Sequence, residues 1–197
     1  MKRTHRADVV CWSRFDEARD IDFNSYAWLR EGGAILFDPL PLSDHDRAQL
    51  EGGVAWIVLT NSDHVRASVE LAEAFGAPIA GPAGEQGTLG LECERWLADG
   101  ETLVDGLVTH ALEGSKTPGE LAFVLEETTL ITGDLVRAHG GGRLDRLPDP
   151  KLADRELALA SIRGLLRHES VDAVLVGDGW PVFRGGRAEL EALVARG

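Results

Sequence analysis

The chain has 197 residues, 44% hydrophobic and 27% charged, an ordinary globular balance that predicts one compact domain over residues 1–197. Lys and Arg number 20 against 33 Asp and Glu, and the resulting formal charge of −13 excludes nucleic acid and anionic membrane as main partners, because both require a basic face. No stretch has the apolar length of a signal peptide or a membrane span, and Cys11 and Cys93, far apart and outside any CxxC, read as free thiols; the expectation is a cytoplasmic protein.

In chain order, residues 9–13 and 23–29 read as an N-terminal antiparallel pair of strands. The run 34–37 (AILF) stops at Asp38-Pro39, and 56–59 (WIVL) stops at Thr60-Asn61. Residues 62–75 place Val65, Val69, Ala72 and Phe75 on one helical stripe, with Asn61 or Ser62 as the cap. The Gly- and Pro-rich stretch 81–87 reads as a loop within the domain. Strands are expected over 102–111 and 121–125, then over 129–132 (TLIT), which ends at Gly133-Asp134. A helix over 150–167 carries Leu152, Leu159, Ile162 and Leu166 on one face, with Pro150 near its start. The run 173–176 (AVLV) ends at Gly177-Asp178-Gly179, and a last helix covers 186–195. Short runs rich in β-branched residues are buried strands, so the fold class is α/β (α+β), with sheet in the middle and helices outside.

Four of these strands deliver an acid or amide at their C-terminal ends: Asp38; Asn61 with Asp63 and His64; Asp134; and Asp178. Rigid sheets with adaptable loops concentrate functional groups there. Carboxylates gathered in one crevice repel unless a cation sits among them, which points to a metal site or a former one. The competing reading is ordinary turn chemistry, with Asn61-Ser62-Asp63 serving as a helix N-terminus. His139, in the Gly-rich segment 137–143, is placed in a loop that could fold over the crevice; His110 is read as structural, and Trp180 as an aromatic packed beside the site. No P-loop, dinucleotide loop or serine-nucleophile motif is present, so no organic cofactor is expected.

The wording of these segments resembles the metallo-β-lactamase superfamily. Asn24-Ser25-Tyr26 with Gly33 to Pro39 is similar to that family's opening hairpin and its strand ending in Asp-Pro. Leu59-Thr60-Asn61-Ser62-Asp63-His64 stands where the family has H-x-H-x-D-H, and Lys116-Thr117-Pro118-Gly119 where it has H-T-P-G. Gly133-Asp134 and Gly177-Asp178-Gly179 resemble its strand-end G-D and its last G-H-G. The resemblance implies a four-layer αβ/βα sandwich and a hydrolase in which metal-activated water attacks a carbonyl or phosphoryl centre of a small-molecule substrate. It also implies a degenerate ligand set. Leu59, Asn61 and Lys116 replace the three histidines of the first metal, and Asp178 replaces another histidine. The implied metal ligands are Asp63, His64, Asp134 and Asp178, holding at most one divalent ion (Zn, Mn, Fe or Mg) or none. Asp134 would be a ligand or general base, and Lys116 would stabilise developing negative charge and bridge to Asp134 in the space of the first ion. The alternative is a catalytically inactive binding or regulatory domain with Lys116 in place of the first metal. Oligomeric state is not readable from the sequence.

Overall fold

The computed structural model describes residues 1–197. The first sheet has seven strands in sequence order: β1 (Lys2–Arg3), β2 (Val9–Asp16), β3 (Ile21–Trp28), β4 (Ala34–Phe37), β5 (Val54–Val58), β6 (Ile79–Pro82) and β7 (Arg95–Leu97). Pairing is antiparallel from β1 to β4 and parallel from β4 to β7. Helices α1 (Asp44–Arg47) and α2 (Ser68–Phe75) occupy the first crossovers. The chain then enters β8 (Thr102–Val104), β9 (Leu107–Leu112), β10 (Glu120–Leu125) and β11 (Thr129–Thr132), followed by a hairpin of β12 (Val136–Gly140) and β13 (Arg143–Arg146). After α3 (Arg155–Leu165), β14 (Ala173–Val176) joins β11 in parallel, giving a second sheet ordered β14-β11-β10-β9-β8, and α4 (Gly186–Arg196) closes the chain.

Side-chain alternation turns these strands into layers. On β4, Ile35 and Phe37 enter the core between the sheets, while Ala34 and Leu36 face the cluster that contains Leu71 of α2. On β10, Leu121, Phe123 and Leu125 enter the same intersheet core, and Ala122 and Val124 face Ala158 and Ile162 of α3 and Leu190 of α4. Strands buried on both faces must be apolar at every position, which is why they appear in the sequence as unbroken runs. The result is the αβ/βα sandwich that the resemblance implies. Each fully buried Leu or Phe contributes about 1.5–3 kcal/mol to holding the layers together.

Four expectations change. The stretch 81–87 is not wholly loop, because Gly81 and Pro82 complete β6. The segment 102–111 is two strands, turning at Asp105-Gly106, where Gly106 has φ +81°. The Gly-rich segment after Arg137 is the tip of the β12–β13 hairpin rather than an irregular loop. The helix expected from residue 150 begins at 155, where the Asp154 side chain accepts from Leu157 N at 3.0 Å; Pro150 lies in a separate short 3-10 turn.

Candidate functional site

The ends of β4, β5, β11 and β14 meet at one edge of the sandwich. β3 staples the two sheets there: Tyr26 Oη donates to Val176 O at 2.8 Å, and Asn24 Nδ2 donates to Val176 O at 3.1 Å and Gly179 O at 2.6 Å. Close packing admits no side chain at two neighbouring glycines. A Cβ on Gly177 would stand 2.9 Å from His64 Cε1, and one on Gly133 would stand 2.6 Å from Thr60 Oγ1.

Asp38 leaves β4 in a left-handed conformation, φ +45°. Its carboxylate accepts from Thr60 N at 2.7 Å and Thr60 Oγ1 at 2.7 Å, and lies 2.8 Å from His64 Nδ1. This fixes the imidazole with Nε2 turned toward Asp134 Oδ2, 3.7 Å away. Burial pushes the His64 pKa down, but the Asp38 carboxylate more than offsets it and the net shift is upward, favouring the imidazolium. Asn61 accepts from Asp63 N at 3.0 Å, capping a 3-10 turn over Ser62–His64, and its Nδ2 donates to Asp134 Oδ2 at 3.2 Å.

His64, Asp134 and Asp178 form one buried group, with a ligand atom of each within 4.8 Å of the others. Asp63, the fourth ligand expected from the sequence, stands outside this group. The turn capped by Asn61 leaves its side chain 54% exposed, and it meets Lys116 Nζ at 2.6 Å instead. Lys116 Nζ also lies 2.9 Å from Asp134 Oδ2, so the expected bridge is present, with Asn61 on the same oxygen. Burial pushes the Asp134 pKa up, but His64 and Lys116 outweigh it and hold the carboxyl below its ordinary value.

Sequence reasoning missed two cations. Arg137, from β12 and 8% exposed, hydrogen-bonds Asp178 Oδ2. Arg66 Nη2 lies 3.9 Å from Asp178 Oδ1, while its Nη1 donates to Asp38 O at 2.9 Å. A charged residue between Val136 and Ala138 in a buried strand was a usable signal for Arg137. Nothing local marks Arg66. A third omission is Glu120 at the start of β10, fully buried beneath Asp134, which accepts from Leu135 N at 2.7 Å and from the Ser115 hydroxyl. His139 is exposed at the cleft wall, His110 is buried as expected, and Trp180 is 63% exposed rather than packed. The residues open onto a cleft of about 670 Å³.

Over residues 1–196 the sequence matches the metallo-beta-lactamase superfamily. The chain belongs to that superfamily. The DIM-1 metallo-β-lactamase superposes with a TM-score of 0.76 at 16% identity, covering 99% of this chain and 96% of that one. A metallo-β-lactamase from Pontibacter korlensis gives 0.74 at 15%, covering 98% and 97%. At such identities the likeness establishes the fold alone. A hydroxyacylglutathione hydrolase of Acidiphilium cryptum (strain JF-5) is 33% identical over 129 residues, which is 61% of this chain and 53% of the relative, so the match spans about half of that protein. Within this superfamily the chain carries a degenerate site. Leu59, Asn61 and Lys116 cannot hold a first ion, and His64, Asp134 and Asp178 form a single incomplete divalent-metal set, for at most one ion or none. Fold and partial set are compatible with hydrolase activity, and no substrate is identified by them. No helix is long and apolar enough to cross a membrane.

Proposed function

We propose that residues 1–197 form one small-molecule-binding domain that works without a resident metal, with Lys116 and Arg137 supplying the positive charge that ions supply elsewhere in the superfamily. The observation that carries this reading is that both carboxylates of the triad already hold a side-chain cation: Asp134 holds Lys116, and Asp178 holds Arg137. Unit charges about 4 Å apart interact by about 4 kcal/mol at an effective dielectric near 20, and a dication doubles that. An ion entering the triad therefore competes with Arg137 and Lys116 for these two carboxylates. A cleft of about 670 Å³ has the volume of a small-molecule site. The unpaired Cys11 and Cys93 support a reducing, cytoplasmic setting.

One observation favours the hydrolase reading. Asp178 Oδ1 is buried with no hydrogen-bond partner, a vacancy in its bonding that a cation would satisfy. In that reading His64, Asp134 and Asp178 hold one ion, an oxygen-rich set suited to Mn, Mg or Fe as well as Zn, and the bound ion supplies Lewis acidity and an activated water. Asp38 and Thr60 fix the His64 tautomer, and Lys116 Nζ stabilises negative charge developing on the substrate. The half-length likeness to a hydroxyacylglutathione hydrolase supports hydrolysis as the reaction type.

Elemental analysis of protein purified from cells grown with added Zn, Mn and Fe separates the two. The expected result is far less than one ion per chain. One ion per chain retained through gel filtration sinks the metal-free reading and favours the hydrolase.

A further inference from the structure

The cleft is lined by five cationic side chains, Arg19, Arg66, Lys116, Arg137 and Lys151, against three carboxylates, Asp63, Asp134 and Asp178. Three of the cations are committed. Arg66 and Arg137 face Asp178, and Lys116 bridges Asp63 and Asp134. Arg19 and Lys151 are exposed and have no carboxylate within 4.0 Å, so the surplus positive charge sits on these two residues at the mouth. This occurs in a chain of net charge −13, where unpaired lysines and arginines facing a concave surface run against the overall balance. Arg19 is also held in place, with its guanidinium 5.5 Å from the centroid of Phe23; the same ring carries Arg66 at 5.7 Å. On the floor, Arg137 keeps a buried Nε–H with no acceptor.

We propose that the mouth of the cleft captures a small-molecule dianion, a phosphate or a dicarboxylate, between Arg19 and Lys151. This rests on the small-molecule-binding reading and names the ligand class for that same cleft. Two surplus charges match a dianion, and a guanidinium presents a planar fork suited to either oxyanion.

The test is isothermal titration of the full chain at low ionic strength with inorganic phosphate and, separately, with succinate. Saturable millimolar or tighter binding of at least one is expected, and which one binds distinguishes the two chemistries. The double variant Arg19→Glu/Lys151→Glu, both exposed and with unchanged circular dichroism, should weaken that binding by at least about tenfold. No saturable binding of either anion, or equal binding by the double variant, overturns the proposal. Each titration is repeated with excess chelator and with added Mn²⁺. Binding that survives chelation supports the proposal even where elemental analysis finds an ion, in which case only the metal-free reading fails. Binding that appears only with the metal overturns the proposal, because the ion rather than the two side chains then holds the anion.

Discussion

Lys116 shows what a single replacement does to this site. The position that resembles a histidine ligand carries an ammonium on a long stem, and Nζ reaches two carboxylates, Asp63 at 2.6 Å and Asp134 at 2.9 Å. The two partners are unequal. Asp63 is 54% exposed and can be solvated without the lysine, whereas Asp134 is 4% exposed and cannot. Lys116→Ala therefore costs mainly what Asp134 loses. A fully buried pair broken on one side costs about 3–5 kcal/mol and an exposed pair under about 1 kcal/mol. Lys116 is itself 28% exposed, and Asn61 and His64 remain beside Asp134, so the expected loss is about 1–3 kcal/mol in urea denaturation at neutral pH. Asp63→Asn should cost under about 1 kcal/mol. Equal losses for the two variants would show that the lysine serves the exposed carboxylate rather than the buried one.

At the level of elements, strands buried on both faces were legible because their apolar runs have no other stable home: 34–37, 129–132 and 173–176 are strands over those same residues. β6 was not, because Gly81 and Pro82 carry turn chemistry, and their strand state depends on a parallel partner, Arg95–Leu97, outside any local window. The same limit applies to the site. The acids at strand ends could be read in order, and ordered motifs gave the fold, but Arg137 meets Asp178 across 41 residues and Arg66 faces it across still more. Glu120 is another such case. It begins β10 and ties that strand to Leu135 after β11 and to Ser115 in the preceding turn. Burial first, then the neighbouring Asp134 carboxylate, raises its pKa from 4.5 to about 7. Below the lower value the carboxyl is protonated in folded and unfolded chains alike. Above it the unfolded chain ionises first, so stability falls as pH rises, until the folded group ionises too near 7. The loss is of order 3 kcal/mol. Glu120→Gln keeps an acceptor for Leu135 N and an amide donor for the Ser115 oxygen, and does not titrate. Its stability relative to wild type should therefore rise by roughly that amount between about pH 4 and about pH 8, by urea denaturation at each pH. A difference that stays constant across this range would show that Glu120 ionises as an ordinary carboxylate.

For the whole molecule, the question is whether the fold depends on the site it carries. The intersheet core, with Tyr26, Phe37, Phe123 and Leu175, lies behind the site, and each outer face is closed by its own helices. Protein groups tie the edge where the strands end: Asn24 and Tyr26 on the β14 carbonyls, Arg66 on Asp38 O, and Arg137 on Asp178. Each of these contacts does the structural work that a bridging ion could do between strand ends. A resident ion bound at 100 times its dissociation constant would add about 2.7 kcal/mol to stability. For a chain of this size each kcal/mol moves Tm by about 2–4 °C, so stripping such an ion would lower Tm by roughly 5–10 °C. On the metal-free reading the site has no such ion to lose. Overnight treatment with excess EDTA followed by gel filtration should leave Tm in differential scanning calorimetry unchanged, and adding Mn²⁺ or Zn²⁺ back should not raise it. A fall of several degrees on chelation, restored by one metal and not by others, would instead place that metal in the His64, Asp134 and Asp178 set.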